Sequence, residues 1–250
     1  MNFVTTKTAA DTINTECLIL GVFREKMIGE TAKYIDKISK KSISKLITSG
    51  DIKTGLGSTK IINNLEGVRA KRVLIVGLGN RDSFKADEYK KACESAMKSI
   101  SGIKLNNFAN YLIVENVKDL NNYYKSRYFI EAYFSSIYQF DQLKTGKKNK
   151  ISTPTKIIMG TSKSGDSAKI KLGCEHGTSI SIGVNIAKDL GNLPANICTP
   201  TYLANESKKF AKKYKKMSVK ILNEGALKRL KMDSFLSVTA GSKEPAKMIV

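Results

Sequence analysis

The side chains able to do chemistry are few in this 250-residue chain, and their spacing brings none of them together. His176 is the only histidine. A Ser-His-Asp relay or a histidine metal site would have to be built around it, and no nearby Ser, Asp or Cys spacing supports one. The expectation is a surface or interdomain histidine. The carboxylates form no Asp/Glu cluster of the kind that holds two divalent ions. Cys17, Cys93, Cys174 and Cys198 are far apart and include no Cys-x-x-Cys pair, which argues against a zinc knuckle or a redox motif. Free thiols in a reducing cytoplasm are expected.

Two local patterns could bind phosphate, and each has a plainer explanation. Val73-Leu-Ile-Val-Gly77-Leu-Gly79-Asn-Arg-Asp82 reads as a strand running into a glycine turn, like the start of a dinucleotide fingerprint. The third glycine of that fingerprint would fall at Asp82, whose charge is unsuited to a pyrophosphate at a helix N-terminus. A structural turn, with Gly77 and Gly79 in backbone angles closed to other residues, is the better reading. Lys208 to Lys216 holds six lysines in nine positions. Leu203, Phe210, Ala211 and Tyr214 would share one face of a helix there, leaving the lysines as a solvated face. The net charge of +21 invites a nucleic-acid partner, but the excess is spread over both halves of the chain and only six of the 43 basic residues are Arg. Base and phosphate recognition favours Arg, so a Lys-, Asn- and Ile-rich composition is more simply explained by an AT-rich genome.

The elements that must position these residues alternate between strand-like and helix-like blocks, the signature of an α/β domain with a largely parallel sheet. Strands are expected at Cys17 to Phe23, Lys60 to Asn63, Arg72 to Val76, Tyr111 to Val114 and Lys156 to Met159. Helices are expected at Gly29 to Ile47, Lys85 to Ile100 and Tyr123 to Phe140. Asn64 to Gly67 makes a turn-like break. Lys144 to Thr155 reads as a linker-like interruption with almost nothing to bury. After the polar loop Thr161 to Asp166, a long helix runs to about Leu190. Thr199 is placed to N-cap a further helix with Pro200 at its first position. Met232 to Val238 is an apolar approach to a turn at Gly241-Ser242, and a new strand begins at Ala246. The N-terminus lacks a basic region followed by a long apolar stretch, so export is not expected. No apolar run approaches the roughly 20 residues needed to cross a bilayer.

Gly183-Val-Asn-Ile-Ala-Lys-Asp189-Leu-Gly-Asn192-Leu-Pro194-Ala-Asn196-Ile-Cys-Thr199-Pro200-Thr-Tyr-Leu203-Ala204 is similar to the segment of leucyl (cytosol) aminopeptidases that links their two domains and opens the catalytic one. The pattern is Asn192, Pro194 and Asn196 in Asn-x-Pro-x-Asn, then Thr199-Pro200 and Leu-Ala. Met232-Asp-Ser-Phe-Leu-Ser-Val-Thr-Ala-Gly241-Ser242-Lys-Glu244-Pro245 resembles the family's next block, and Val73 to Gly79 its strand and glycine turn. Physically, the two prolines stiffen a connector between helices, and the asparagines can bond backbone groups in its turn.

The resemblance implies a macrodomain-like N-terminal domain over 1–165, a linking helix over 166–191 and the truncated start of an α/β catalytic domain over 192–250. It also implies a cytoplasmic homo-hexamer that removes N-terminal amino acids from peptides with two divalent metal ions, Zn or Mn. In the family the metal-holding carboxylates and lysine, and the lysine and arginine that assist, lie downstream of the point matching Val250. No catalytic or metal-binding residue is therefore assigned here, and the chain alone is expected to be inactive and to bind no metal. Some bacterial relatives bind DNA, so a DNA-binding or regulatory module is the alternative. DNA binding would be weak, and no membrane is involved.

Overall fold

The computed structural model describes residues 1–24, 28–146, 152–162 and 164–250. Contacts divide the chain into two compact units, Met1–Asn185 and Ile186–Val250.

In the first unit the chain runs β1 (Asn2–Thr6), β2 (Leu18–Phe23), α1 (Glu30–Ile38), α2 (Ser42–Thr48), β3 (Thr59–Asn63), β4 (Arg72–Gly79), α3 (Ala86–Ile100), β5 (Asn107–Asn110), α4 (Asn122–Ile137), β6 (Lys156–Gly160) and α5 (Ser167–Asn192), which crosses into the second unit. The strands form one sheet in the order β1-β6-β5-β2-β4-β3. Every pairing is parallel except that of β3 with β4. A parallel sheet must be covered on both faces, and the sequence of β2, Leu-Ile-Leu-Gly-Val-Phe, is buried throughout, as a doubly covered central strand requires. Its alternate side chains feed two cores. Leu18, Leu20 and Val22 join Val73, Ile75, Ala32, Ile35 and Ile43 under α1 and α2. Ile19 and Phe23 join Leu74, Val76, Tyr89, Met97, Phe129 and Ile170 on the face of α3, α4 and α5. Phe84 stands edge-on to Phe23 at 5.2 Å and to Tyr89 at 6.3 Å, and each such buried side chain contributes about 1.5–3 kcal/mol.

The second unit holds the end of α5, then α6 (Pro200–Lys213), β7 (Ile221–Asn223), α7 (Glu224–Arg229), α8 (Asp233–Thr239) and β8 (Lys247–Ile249). β7 and β8 pair antiparallel, and mutual backbone bonds between Lys220 and Val250 extend the ladder. Asn223 caps α7 by accepting from the Ala226 N–H, and the Glu224 carboxylate accepts from the Ala246 N–H at 3.0 Å. Among the described residues only Ala204, Leu227 and Ala246 of this unit are buried hydrophobics.

Five expectations about elements change. The single helix over Gly29 to Ile47 is two, because Lys40 and Lys41 take left-handed angles (φ 53° and 61°). The buried Asp36 carboxylate holds this corner by accepting from the Ser44 N–H and Oγ. The strand expected over Tyr111 to Val114 lies earlier, at β5, and Leu112–Val114 is a 3-10 turn. Asn110 ends the strand, its side-chain oxygen accepting from the Leu112 N–H at 2.9 Å in place of a ladder bond. β1 was not expected at all. Met232 to Val238, read as an approach to a turn, forms most of the helix α8, and the helix expected to reach Phe140 stops at Ile137. Of the linker expected over Lys144 to Thr155, residues 147–151 lie outside the described residues, as does Lys163 of the loop before α5.

Candidate functional site

The connector is built as its residue types suggest. α5 ends at Asn192, the Pro194 carbonyl accepts from the Ile197 and Cys198 N–H groups at 2.9 Å each, and α6 begins at Pro200. Thr199 Oγ1 accepts from the Tyr202 N–H at 3.2 Å, satisfying an otherwise unpaired helix-start amide. Pro200 occupies the first helical position, where a missing N–H costs nothing. Asn192, Pro194 and Asn196 are exposed.

The glycine pattern is not a phosphate cradle. Both glycines belong to β4 and are covered by residues 54–58: the Gly77 N–H donates to the Ser58 carbonyl, and the Gly79 N–H to the Thr54 carbonyl. A Cβ on Gly77 would run into the Gly55 carbonyl oxygen and Ser58 Oγ. Gly79 carries the positive φ, 73°. One glycine is thus required by close approach and the other by backbone angle, a division the spacing alone does not reveal.

His176 is exposed on α5, with Nδ1 2.8 Å from Tyr123 Oη. Cys17, Cys93 and Cys174 are buried free thiols; burial pushes Cys17 and Cys174 up to about 12, which leaves them protonated and unreactive. Among the described residues no group of three or more His, Cys, Asp or Glu side chains is placed to hold a metal ion. The described residues do not bring together the donor set of a two-metal centre.

A charged cluster that sequence reasoning missed lies inside the first unit. Glu115 follows the 3-10 turn and is fully buried, and among the described residues neither of its carboxylate oxygens has a side-chain hydrogen-bond partner. The carboxylate packs on Gly29 at the start of α1, where a Cβ would overlap Glu115 Oε1. Lys125 of α4, also buried, donates from Nζ to the carbonyls of Ile113 at 2.6 Å and Glu115 at 3.0 Å, closing the turn from behind. Burial raises the Glu115 carboxyl to about 7, against the opposing pull of the Glu30 amide and the charges of Arg81 and Lys125. Burial lowers Lys125 to about 8, opposed by Glu115, Asp166 and Glu30. One signal was available: Lys125 lies four residues before Phe129 on the buried face of α4, where a lysine needs a buried acceptor.

Residues 19–147 match the model of the cytosol aminopeptidase family's N-terminal domain, and residues 185–250 match the model of its catalytic domain. This chain belongs to the cytosol aminopeptidase family. A probable cytosol aminopeptidase of Paraburkholderia phytofirmans is 36% identical over 235 residues, covering 94% of this chain and 46% of its own length. One of Nitrosococcus oceani is 31% identical over 249 residues, covering 100% and 50%. The chain spans about half the length of the curated relatives it matches. The structure of a tomato leucine aminopeptidase mutant superposes with a TM-score of 0.80 at 20% identity, over 100% of this chain and 50% of that one. The bottromycin maturation enzyme BotP in complex with Mn gives 0.70 at 17% identity, over 94% and 44%. At these identities the two structures establish the fold, a mixed α/β architecture with a largely parallel sheet. The signature residues Asn192 to Pro200 fall within the catalytic-domain match.

Proposed function

We propose that this chain is the N-terminal part of a leucyl aminopeptidase, a cytoplasmic two-metal hydrolase that removes N-terminal amino acids from peptides. The observation that carries this reading is the ordered match of both family domains, 19–147 and then 185–250, on one chain. On this reading 1–165 is the N-terminal domain, 166–191 the linking helix and 192–250 the opening of the catalytic domain. Asn192, Pro194, Asn196, Thr199 and Pro200 shape the entry to the catalytic domain and touch no substrate. Two divalent ions, Zn or Mn, would polarise the peptide carbonyl and activate a bound water in the whole enzyme, and these 250 residues supply none of their ligands. The homo-hexamer is part of the same reading. The relatives are named cytosol aminopeptidases, and no helix among the described residues is long and apolar enough to cross a membrane.

The test compares the 250-residue chain with a chimera in which it replaces the matching half of the Paraburkholderia relative. Release of leucine from a leucyl amide is followed with added Mn or Zn. The chain alone should give no turnover, and the folded chimera should give metal-dependent turnover. Activity of the chain alone, or a folded chimera that binds metal and stays inactive, would overturn the reading.

A further inference from the structure

β1 and β3 close the two ends of the six-stranded sheet, and their free sides differ in chemistry. β3 carries the exposed Lys60, a usual device against edge-to-edge pairing. β1, Asn-Phe-Val-Thr-Thr, carries no charge, no proline and no bulge, and among the described residues no strand covers its outer side. The Asn2 N–H donates to the Thr155 carbonyl and the Thr6 carbonyl accepts from the Thr161 N–H, so the even-numbered residues of β1 turn their peptide groups toward β6. Strand alternation turns those of Phe3 and Thr5, and of Met1 in line with them, to the open side. Phe3 packs against the core on the face of α3, α4 and α5, which puts the side chains of Met1, Phe3 and Thr5 on the α5 side of the sheet.

Between β1 and α5 lies a groove in two parts that share Phe3 and Lys171. The inner part, about 180 Å³, joins Thr5 to Ala168 and has apolar walls in Phe3, Met159, Ile170 and Cys174. The outer part, about 410 Å³, joins Met1 to Glu175 and Thr178. α5 therefore runs antiparallel to β1, with Phe3 beside the helical turn from Lys171 to Glu175. Among the described residues neither of these opposite charges enters an ion pair. The edge is thus complementary to itself. A two-fold axis at Phe3 sets Phe3 against Phe3 of a second copy and Met1 against its Thr5, so that the outward backbone groups bond antiparallel. The same axis carries the Met1 side chain, 51% exposed, over the inner pocket of the second copy, which has room for one such side chain, and sets Lys171 opposite Glu175 of the second copy. The net charge of +21 is spread over the chain and is screened beyond about 8 Å at physiological salt, so the opposite charges at the seam decide. We propose that a second copy of this chain occupies the groove, its β1 added antiparallel to β1 about a two-fold axis at Phe3, joining the two sheets into one. The contact rests on this edge and not on the aminopeptidase reading; a homo-hexamer of dihedral symmetry would contain it as its two-fold.

The test measures the dimer dissociation constant of the full 250-residue chain by sedimentation equilibrium at physiological salt. Thr5→Pro, which removes an outward N–H and no β6-facing one, should weaken the dimer by about 10-fold or more. Lys171→Glu and Glu175→Lys each set like charges across the seam, at both ends of the two-fold contact, and should each weaken it about 3- to 10-fold. Mixing these two variants sets opposite charges across the seam again and should restore wild-type affinity to within about 2-fold. Association through residues 190–250 would respond to none of these changes, and a Lys171–Glu175 contact inside one copy would not be rescued by mixing. If Thr5→Pro fails to fold, the mixing experiment decides the matter. A wild-type chain that stays monomeric, a folded Thr5→Pro chain that dimerises as tightly as wild type, or a mixture no tighter than its separate components would overturn the proposal.

Discussion

Glu115 is the residue at which local chemistry and fold are most at odds. Burial, which outweighs the Glu30 amide and the charges of Arg81 and Lys125, raises this carboxyl to about 7 against an ordinary value close to 4.5. Because the folded state keeps the proton more tightly than the unfolded one, stability declines as pH rises from about 4.5 to about 7 and levels off above that. Lys125 acts at higher pH. Its folded value near 8 lies below the ordinary 10.5, so its burial penalty is constant below 8 and is relieved as pH rises from 8 to about 10.5. Glu115→Gln should remove the decline between pH 5 and 7, which amounts to at most about 3 kcal/mol. Urea midpoints at pH 5, 6 and 7 read it directly, and parallel curves for wild type and variant would show that Glu115 is not the buried proton holder. Gly77 makes a second residue-level claim. Gly77→Ala sets a methyl against the Gly55 carbonyl and should destabilise by about 2 kcal/mol or more, whereas Gly102→Ala, in open space, should stay within about 0.5 kcal/mol. Similar melting points for the two variants would mean that residues 54–58 give way freely.

Among the elements, α6 illustrates how far sequence can be read. Thr199 and Pro200 announce its start by residue type, and the structure places the cap bond where that type requires it. Thr199→Ala should cost about 1 kcal/mol, felt locally as faster hydrogen exchange at the Tyr202 amide. Unchanged exchange there would mean that solvent replaces the cap without loss. Strongly apolar strands such as β2 and β4 were equally legible, because a doubly covered strand has little freedom in composition. What escaped was set by single polar contacts or by weak patterns. The helix break at Lys40-Lys41 depends on Asp36 reaching Ser44, eight residues on, and the end of β5 depends on Asn110 folding back on Leu112. Neither contact leaves a periodic trace. β1 escaped because an edge strand buries only part of its surface, so Asn-Phe-Val-Thr-Thr carries little apolar signal. The Glu115–Lys125 cluster escaped for a related reason, since its two members come from a turn and a helix that only the tertiary fold brings together.

At the scale of the whole molecule, α5 is the element that has to serve both units. Its first half is core: Ile170 and Cys174 are fully buried, and Gly173 and Gly177 bring the helix so close to α4 that a Cβ would meet Ser126 Oγ and the Tyr123 carbonyl at the first, and the Arg127 carbonyl at the second. The hydrogen bond between Tyr123 and His176 spans the same contact. A piece ending at residue 165 would lose two buried side chains and the cover over Phe129 and Ile130, on the order of 3 kcal/mol or more. For a unit of this size that corresponds to a melting point lower by about 6–12 °C. Residues 1–185 are therefore expected to melt well above residues 1–165, and limited proteolysis of the full chain should leave a core ending beyond Ser181. The segment after it has the opposite balance. Only Ala204, Leu227 and Ala246 are buried there, while Leu230, Val238 and Val250 are 59%, 85% and 65% exposed. Three buried residues, two of them alanines, supply too little apolar burial to offset the conformational entropy of some 60 ordered residues. Residues 190–250 should be digested first and should drive association of the full chain through their exposed apolar surface. Protection of that segment as strong as that of the core, in a monomeric chain, would show that the second unit is stable on its own contacts.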